Sequence, residues 1–361
     1  MNFWQQLTKP IIGFAPMDGV SDAPFRFIVA KYGKPDVTIT EFISVDGISH
    51  GAERLFTDFI YHDIERPVCA QVFGNDPDLF YLAAKVVCEL GFDGLDINMG
   101  CPAKSVAARG AGAGLIKNPK LALKIIEAAK QGVSDWVSSG KGDLPSKVEN
   151  ALDNTKEILP DLGQKTKAER KTIPVSVKTR IGFDEIVIED WVENLLEAAP
   201  ANISVHGRTL KQLYSGAADW GAIGRGASIV KDYNQGNPEP VTIIGNGDVC
   251  SRADYLQKLE QSGVDGVLVG RATLGNPWIF AELRGEHHEV TLQEKIEVAI
   301  EHAAMHEKIK SLRAFVEMRK HFGWYLKNFP GASRYRSEKM QTNSTEQAKI
   351  IFAELLSKNN F

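Results

Sequence analysis

The sequence is short of cysteine, and it lacks both a zinc-type cysteine spacing and an excess of positive charge. It holds four cysteines in 361 residues, and no two of them are spaced as Cys-x-x-Cys. This spacing argues against a zinc or dithiol site, so we expect no metal centre and a reducing compartment. The formal net charge is −4 at pH 7. Only a local cluster of cations can therefore indicate a nucleic-acid partner.

Membrane and export signals are also missing. No uninterrupted apolar run approaches the roughly 18 residues that a membrane-spanning helix needs. Residues 1–10 lack the basic region followed by an apolar region that marks a signal peptide. We therefore expect a cytoplasmic protein without membrane contact. The hydrophobic fraction of 43% and the charged fraction of 24% are typical of a globular chain with a sizeable core.

Short apolar or β-branched runs recur along the chain, and helical patterns separate them. We predict eight strands, at residues 11–16, 36–42, 67–73, 94–98, 173–180, 202–206, 240–246 and 266–270. The predicted helices between them include residues 77–90, 119–132, 187–198, 252–262 and 273–284. Alternating strands and helices indicate parallel strands with right-handed crossovers, and eight such units predict a (β/α)8 TIM barrel.

Two segments depart from this alternation. Residues 134–171 are polar with near-balanced charge, which predicts a surface insertion, partly helical around residues 147–159; an RNA or partner contact is the less favoured alternative. Beyond about residue 291, amphipathic patterns replace the strands, at 294–309, 312–328 and 345–358. We therefore expect a barrel domain at 1–288 and a smaller all-helical domain at 289–361, in a monomer.

The most informative motif is Asp96-Ile97-Asn98-Met99-Gly100-Cys101-Pro102, where a predicted strand runs directly into a Gly-Cys-Pro turn. Gly100 permits unusual backbone angles and Pro102 fixes one. A barrel keeps its chemistry at the carboxyl ends of its strands. Cys101 is therefore a candidate acid or nucleophile, whereas we expect Cys250 to be structural.

Polar residues follow the other predicted strands as well. Glycines after the seventh and eighth strands, with a helix predicted near Arg271, are typical of a phosphate site. A cation and an imidazole, Lys178 and His206, suit a ring that becomes anionic on reduction, and FMN has both a phosphate and such a ring. Each signal alone has an ordinary explanation, because an Asn-Gly-Asp is usually a turn and a strand-end lysine is usually solvated. Because all of these signals fall at the ends of predicted strands, together they favour a binding site.

Taken together, the motifs resemble those of the tRNA-dihydrouridine synthases, in chain order from about residue 11 to about residue 345. The segments that carry the resemblance are Ala15-Pro16-Met17, Asp22, Pro24-Phe25-Arg26, the motif around Cys101, Val177-Lys178-Thr179-Arg180-Ile181-Gly182, His206-Gly207-Arg208-Thr209, Gly245-Asn246-Gly247-Asp248 and Gly270-Arg271-Ala272. The Asp-Ile-Asn-Met-Gly-Cys-Pro segment is highly specific.

The resemblance implies an FMN enzyme that reduces a uridine of tRNA, with NADPH as the usual reductant and Cys101 as the proton donor. It implies flavin contacts at Pro16, Met17, Gln71, Lys178, His206, Asn246, Gly247, Asp248, Gly270 and Arg271, to which we add the backbone of Asp18. Asn98 is expected to bind the uracil edge, and Arg180 either the substrate or a phosphate. A thiol with a pKa of about 8.5 is protonated at pH 7 yet acidic enough to give its proton up.

A basic cluster lies in the predicted helical domain. Residues 308–339 contain nine lysines and arginines but only two acidic residues. On an acidic chain this local excess favours contact with the phosphates of RNA, whereas we expect the interleaved aromatic residues to form a core. Arg319-Lys320-His321 resembles the RNA-binding helices of the same family. The expected tRNA contacts are Arg319, Lys320, His321, Arg334 and Arg336.

Two other functions remain open from the sequence. The same flavin barrel can act on a free pyrimidine or on dihydroorotate, but such a small substrate needs no basic helical domain. An RNA-binding protein without catalysis needs neither Cys101 nor Lys178 nor His206. Neither the choice of D-loop uridine nor the choice between NADPH and NADH can be predicted from the residues.

Overall fold

A computed structural model of the chain describes residues 1–158, 170–310, 312–327 and 341–358. Eight parallel strands form a closed barrel in sequence order. The strands are β1 (Ile11–Phe14), β2 (Thr38–Ser44), β3 (Val68–Phe73), β4 (Gly94–Met99), β5 (Val175–Arg180), β6 (Asn202–His206), β7 (Thr242–Asn246) and β8 (Gly266–Val269). Pairing of Ile11 with Gly266 begins the β1–β8 ladder that closes the barrel. The predicted TIM barrel and all eight strands are confirmed.

Most helices follow the strands and cover the outside of the barrel, whereas the first helix precedes β1 and the last three pack in a separate cluster. The helices are α1 (Phe3–Gln6), α2 (Ala23–Gly33), α3 (Val45–Ser49), α4 (Glu53–Phe56), α5 (Pro77–Glu89), α6 (Lys104–Ala107), α7 (Pro119–Ser139), α8 (Ser146–Ile158), α9 (Ile188–Glu197), α10 (Trp220–Tyr233), α11 (Arg252–Ser262), α12 (Ile279–Arg284), α13 (Leu292–Lys310), α14 (Met318–Tyr325) and α15 (Thr345–Lys358). None of the helices in the described ranges is both long and apolar enough to cross a membrane.

Side-chain caps begin several of these helices. Asp22, Asp76, Asn118, Asp219 and Ser251 each accept a hydrogen bond from a backbone N–H of the first turn that follows. Because such a bond satisfies a donor that has no partner within the helix, each helix has a defined start. In a barrel these starts fix the length of the loops that leave the strands.

The amino-terminal end of the barrel is closed by helix α1. Trp4 is fully buried and packs in one apolar cluster with Ile11, Val37, Ile244 and Leu268. These partners come from β1, β7, β8 and the segment before β2, so one side chain ties together elements that are far apart in the sequence. The opposite end of the barrel carries the polar strand ends.

The predicted insertion differs from the structure at its start. Helix α7 continues through residue 134 to Ser139, because Val133 and Trp136 are buried and Gly140, at φ +76°, ends the helix. Helix α8 then covers most of the predicted helical part. It is not only a solvated surface, since Val148 and Leu152 are buried. Residues 159–169 of the insertion lie outside the described residues.

The C-terminal helices α13, α14 and α15 pack together in a separate apolar cluster. Phe315, Phe322 and Tyr325, which were expected to form a core, are buried in it together with Phe352. Two further aromatic residues of that prediction, Phe329 and Tyr335, lie outside the described residues. The cluster also includes Ile28 of α2 and Trp278, which belong to the barrel side. The structure therefore shows helices after the last strand, whereas the boundary between 1–288 and 289–361 stays a prediction.

Candidate active site

A cavity of about 510 Å³ opens at the carboxyl ends of the barrel strands. Of the residues predicted from the sequence, those that line it are Pro16, Met17, Asp18, Asn98, Cys101, Lys178, Arg180, His206, Asn246, Gly247, Asp248, Gly270 and Arg271. The walls come from the loops after β1, β4, β5, β6, β7 and β8. These lining residues, which were predicted at the ends of the strands, therefore surround one cavity.

The Cys101 loop is held by the amide of Asn98. The Oδ1 atom of Asn98 accepts hydrogen bonds from the backbone N–H groups of Gly100 at 3.0 Å and Cys101 at 2.8 Å. Cys101 is only 5% exposed, and burial raises the pKa of its thiol. At neutral pH the thiol is therefore protonated, which favours the role of an acid over that of a nucleophile.

Two further buried side chains continue this hydrogen-bond chain below the cavity. Asn98 Nδ2 donates to Gln71 Oε1 at 2.9 Å, and Gln71 Nε2 donates to Asp96 Oδ2 at 2.6 Å. Gln71 and Asp96 are fully buried, and Gln71 is not among the residues that line the cavity. The amide of Gln71 orients Asn98, and the flavin contact expected of Gln71 stays a prediction. Burial raises the pKa of Asp96 to about 7.

Lys178 and Arg180 follow each other on the inner side of β5. Arg180 donates from Nε to the Gly100 carbonyl at 2.7 Å and from an Nη atom to the Thr209 carbonyl at 3.1 Å. It therefore joins the Cys101 loop to the loop after β6. Lys178 has no hydrogen-bond or ion-pair partner within the described part of the chain. Burial, and next the charge of Arg180, lower the pKa of Lys178 to about 8.

His206 is a neutral donor and acceptor at the end of β6. Burial, and then the charges of Lys178 and Arg180, lower its pKa to about 2. Its Nε2 atom lies 3.4 Å from an Nη atom of Arg208. Since a guanidinium can only donate, Nε2 is the acceptor and the ring proton is on Nδ1.

The loops after β7 and β8 present backbone N–H groups to the cavity. Within the described residues, no acceptor partners the N–H groups of Gly247, Asp248, Gly270 or Arg271. Gly247 has a φ of +132°, and a Cβ there would lie 2.6 Å from the Cβ of Ala218, so only glycine fits. The helix predicted near Arg271 is only a single 3-10 turn, Arg271–Thr273, and α12 begins later.

Asp248 organises the cations beside these N–H groups. Its carboxylate pairs with Arg208 at 2.6 Å and with Arg271 at 2.7 Å. Although burial opposes ionisation, a hydrogen bond from the Ala218 N–H and these guanidinium groups lower the pKa of Asp248. Its side chain therefore fixes the two arginines, which the sequence motif alone did not indicate.

Tyr214 lines the cavity and was missed by the sequence reasoning. It lies in the loop after β6, is 62% exposed, and places its ring 5.5 Å from the Arg271 guanidinium. The available signal was an aromatic residue in a polar loop, Gln212-Leu213-Tyr214-Ser215, where no core requires one. An exposed ring at a cavity mouth can stack on a planar base.

Three of the predicted tRNA contacts, Arg319, Lys320 and His321, lie on α14, and none of the three lines the cavity. Arg319 donates to the Thr342 carbonyl and to Asn343 Oδ1, and Lys320 donates to the Gly19 carbonyl. His321 is only 2% exposed and packs against Phe25, so the expectation that its side chain contacts tRNA is corrected. Arg334 and Arg336 lie outside the described residues.

Comparison with known proteins agrees with this geometry. A family model described as dihydrouridine synthase (Dus) matches residues 13–140 and 150–360. The chain belongs to the dihydrouridine synthase family. The match includes the Cys101 loop, the strand ends around the cavity and the C-terminal helices. The resemblance seen in the sequence is thereby confirmed.

Named members of the dihydrouridine synthase family are similar over nearly their whole length. The probable tRNA-dihydrouridine synthase 2 of Bacillus subtilis is 32% identical, over 97% of this chain and 95% of that protein. The probable tRNA-dihydrouridine synthase of Staphylococcus aureus is 30% identical, over 98% and 95% respectively. Among solved structures, DHODH in complex with ferulenol from Eimeria tenella is 14% identical with a TM-score of 0.49, covering 76% of this chain and 79% of that one. A similarity at that level says nothing about the site.

Proposed function

We propose that the protein reduces the 5,6 double bond of a D-loop uridine in tRNA, with FMN as cofactor and NADPH as reductant. The observation that carries this proposal is the buried, protonated Cys101 thiol at the same cavity as Lys178, Arg180 and His206. The family match and the activity for which its relatives are named support the choice of substrate.

The residues around the cavity fit FMN. The volume of about 510 Å³ lies within the ~300–1,000 Å³ range of cofactor pockets. The unpartnered N–H groups after β7 and β8, with Arg271 beside them, suit the phosphate. Lys178 and the neutral His206 suit the edge of the ring, where negative charge develops on reduction. Pro16, Met17 and Gly270 offer an apolar wall.

The chain's own residues supply the acid and the orientation. The chemistry that FMN would supply when bound is a hydride for one carbon of the uracil double bond. The neighbouring carbon would then need a proton, and we assign this transfer to the protonated Cys101 thiol, which lines the cavity. Arg180 and the Asn98 amide hold the Cys101 loop, and Tyr214 at the mouth can stack on the entering base.

The rest of the tRNA must be held while its base enters the cavity. A uridine inside a folded RNA has to be extruded before it reaches a recessed thiol. The cations between residues 308 and 339 supply the proposed phosphate contacts. Arg319 and Lys320 are among the described ones, whereas Lys310 is paired with Asp22 and Glu317. We propose a monomer in the cytoplasm, in keeping with the free cysteines.

A comparison of substrates tests the proposal. The purified protein, reconstituted with FMN, is incubated with NADPH and either an unmodified tRNA transcript or free uridine, and dihydrouridine is measured by mass spectrometry. We expect product only with tRNA. Equal turnover of free uridine or dihydroorotate would point to a small substrate, and tRNA binding without any product would point to an RNA-binding protein.

A further inference from the structure

One short segment touches both the cavity and the C-terminal helices. We call residues 17–22, between β1 and α2, the cavity lip. Met17, Asp18 and Val20 of the lip line the cavity. Within the lip, the Met17 N–H donates to Ser21 Oγ at 2.7 Å. From the barrel side, the Val20 N–H donates to Oε1 of Glu41 in β2 at 2.8 Å.

Two lysines of the C-terminal helices hold the same segment from the other side. Lys320 of α14 donates from Nζ to the Gly19 carbonyl. Lys310 of α13 places Nζ 3.0 Å from Asp22 Oδ2. The other oxygen of Asp22 caps α2, because Oδ1 accepts from the Phe25 N–H at 3.1 Å. The lip is therefore fixed at its middle and at its end by groups more than 280 residues away in the sequence.

The ion pair at the end of the lip is shielded from water. Asp22 is 5% exposed, and although burial raises its pKa, the Lys310 ammonium holds that pKa far below its usual range. Lys310 also lies 3.0 Å from Glu317 Oε2. The rings of His302 and His321 pack on Phe25, at 5.5 Å and 5.0 Å between centroids, and both histidines are neutral. A shielded pair of this kind constrains geometry strongly, since removing one partner leaves a buried charge.

The same cluster contains a set of groups that can ligate a metal. The ligand atoms of Asp22, His306 and Glu317 lie within 4.8 Å of one another, a grouping that the sequence did not reveal. However, the Lys310 ammonium lies at 3.0 Å from both carboxylates and already supplies the cation. The arrangement therefore favours a fixed ion-pair contact over a metal centre.

We propose that Lys310 and Lys320 are positioning residues through which the C-terminal helices hold the cavity lip. The first step of this proposal, that the two lysines restrain the lip, rests only on the contacts of the lip. The second step is that a molecule bound to these helices changes the mobility of the lip residues that line the cavity. This second step rests on the proposed function, in which the bound molecule is tRNA.

Amide hydrogen exchange of the full-length protein tests the first step without any ligand. The Lys320→Met variant is compared with Lys327→Met, which removes the same charge from an exposed lysine just after α14. We expect the lip amides to exchange at least about fivefold faster in Lys320→Met, the low end of coupling between sites. Lys327→Met should exchange like the unchanged protein, and Lys320→Arg, which keeps the donor, should restore protection.

A double variant tests the Asp22–Lys310 ion pair without leaving an unpaired buried charge on the lip. In Asp22→Asn combined with Lys310→Met, asparagine still caps α2, so the fold is kept while the link to α13 is lost. Faster exchange of the lip is expected here too. Exchange equal to that of Lys327→Met in both variants would overturn the proposal.

Addition of an unmodified tRNA transcript tests the second step. We expect tRNA to increase protection of the lip in the unchanged protein but not in Lys320→Met, even where binding is saturated. If tRNA fails to bind the unchanged protein, the proposed function fails, while the ligand-free comparison still decides the role of the lysines. If tRNA binds and protects the lip equally in both, the coupling through Lys320 is wrong.

Discussion

At the scale of single residues, alternation along the strands decides which side chains meet. Successive strand residues point to opposite faces. Asp96 and Asn98 of β4 therefore lie on the inside of the barrel with Lys178 and Arg180 of β5, in the register Asp96–Ser176 and Asn98–Lys178. The apolar residues between them, such as Ile97 and Val177, pack outward in the main core. One strand thus serves both the site and the core.

The acid role of Cys101 predicts a selective loss of turnover. In Cys101→Ala we expect dihydrouridine formation to fall by about 10²–10⁴-fold, the usual contribution of a positioned acid, while FMN binding stays the same. Cys250→Ser is the comparison variant, since Cys250 is the exposed second thiol that lines the same cavity and is not assigned the acid role. The measurement is single-turnover product formation with tRNA. An equal loss in both variants would contradict the assignment.

The lowered pKa of Lys178 predicts how the reaction rate falls at alkaline pH. Its ammonium, with a pKa of about 8, is charged below that pH and neutral above it. If the charge supports the reaction, the rate falls by about tenfold from the plateau to pH 9. Lys178→Arg, whose guanidinium stays charged, should move this fall to higher pH. A fall that stays near pH 8 in the variant would assign it to another group.

The strand-end residues could be predicted because glycine and polar residues interrupt short apolar runs. The bounds of β6 at Asn202 and His206 were predicted without error, as Gly207 follows directly. His321 could not be predicted, because its neighbours in sequence are Arg319 and Lys320 and its burial depends on Phe25, far away in the chain. Tyr214 and the partners of Asp248 could not be predicted either, because their contacts form only where separate loops meet in the fold.

At the scale of elements, α7 is longer than predicted, because the glycine at its predicted end does not end the helix. The predicted helix over residues 119–132 ends at Gly132, a residue type that is common at helix ends. In the structure it lies inside α7, where a Cβ would come 2.4 Å from the Tyr81 carbonyl of α5. The glycine allows two helices to approach closely, a constraint that becomes visible only once both are placed.

The short helix α1 predicts a stability effect out of proportion to its length. Trp4→Ala should lower the free energy of unfolding by about 3–5 kcal/mol, the cost of a large buried ring, because Trp4 fills the amino-terminal end of the barrel. Gln6→Ala, at an exposed position of the same helix, should change it by less than about 0.5 kcal/mol. Urea unfolding measures both. Matching midpoints would show that the barrel does not depend on this closure.

At the scale of the whole molecule, the barrel and the C-terminal helices share one continuous interface. Apolar residues of both, such as Ile28, Trp278 and Phe322, belong to one cluster, and the Asp22–Lys310 ion pair lies beside it. An interface that is both apolar and ion-paired favours a fixed arrangement over independent motion of two domains.

This shared interface predicts a single unfolding transition. Hydrogen exchange in increasing urea should give the same midpoint for peptides of the barrel core and for peptides of α13, because neither side can keep its apolar face covered without the other. A lower midpoint for α13 alone would mean that the helices detach before the barrel unfolds.

Closure of the barrel also orders events during synthesis. The ribosome makes the chain from its N-terminus, yet the strand that pairs with β1 is β8, beginning at Gly266, and Trp4 packs against Leu268. The first helix to be made is thus among the last to find its place. Until β8 has left the ribosome, Trp4 and the edge of β1 are exposed to the cell, and this nascent stage is where we expect chaperones to recognise the chain.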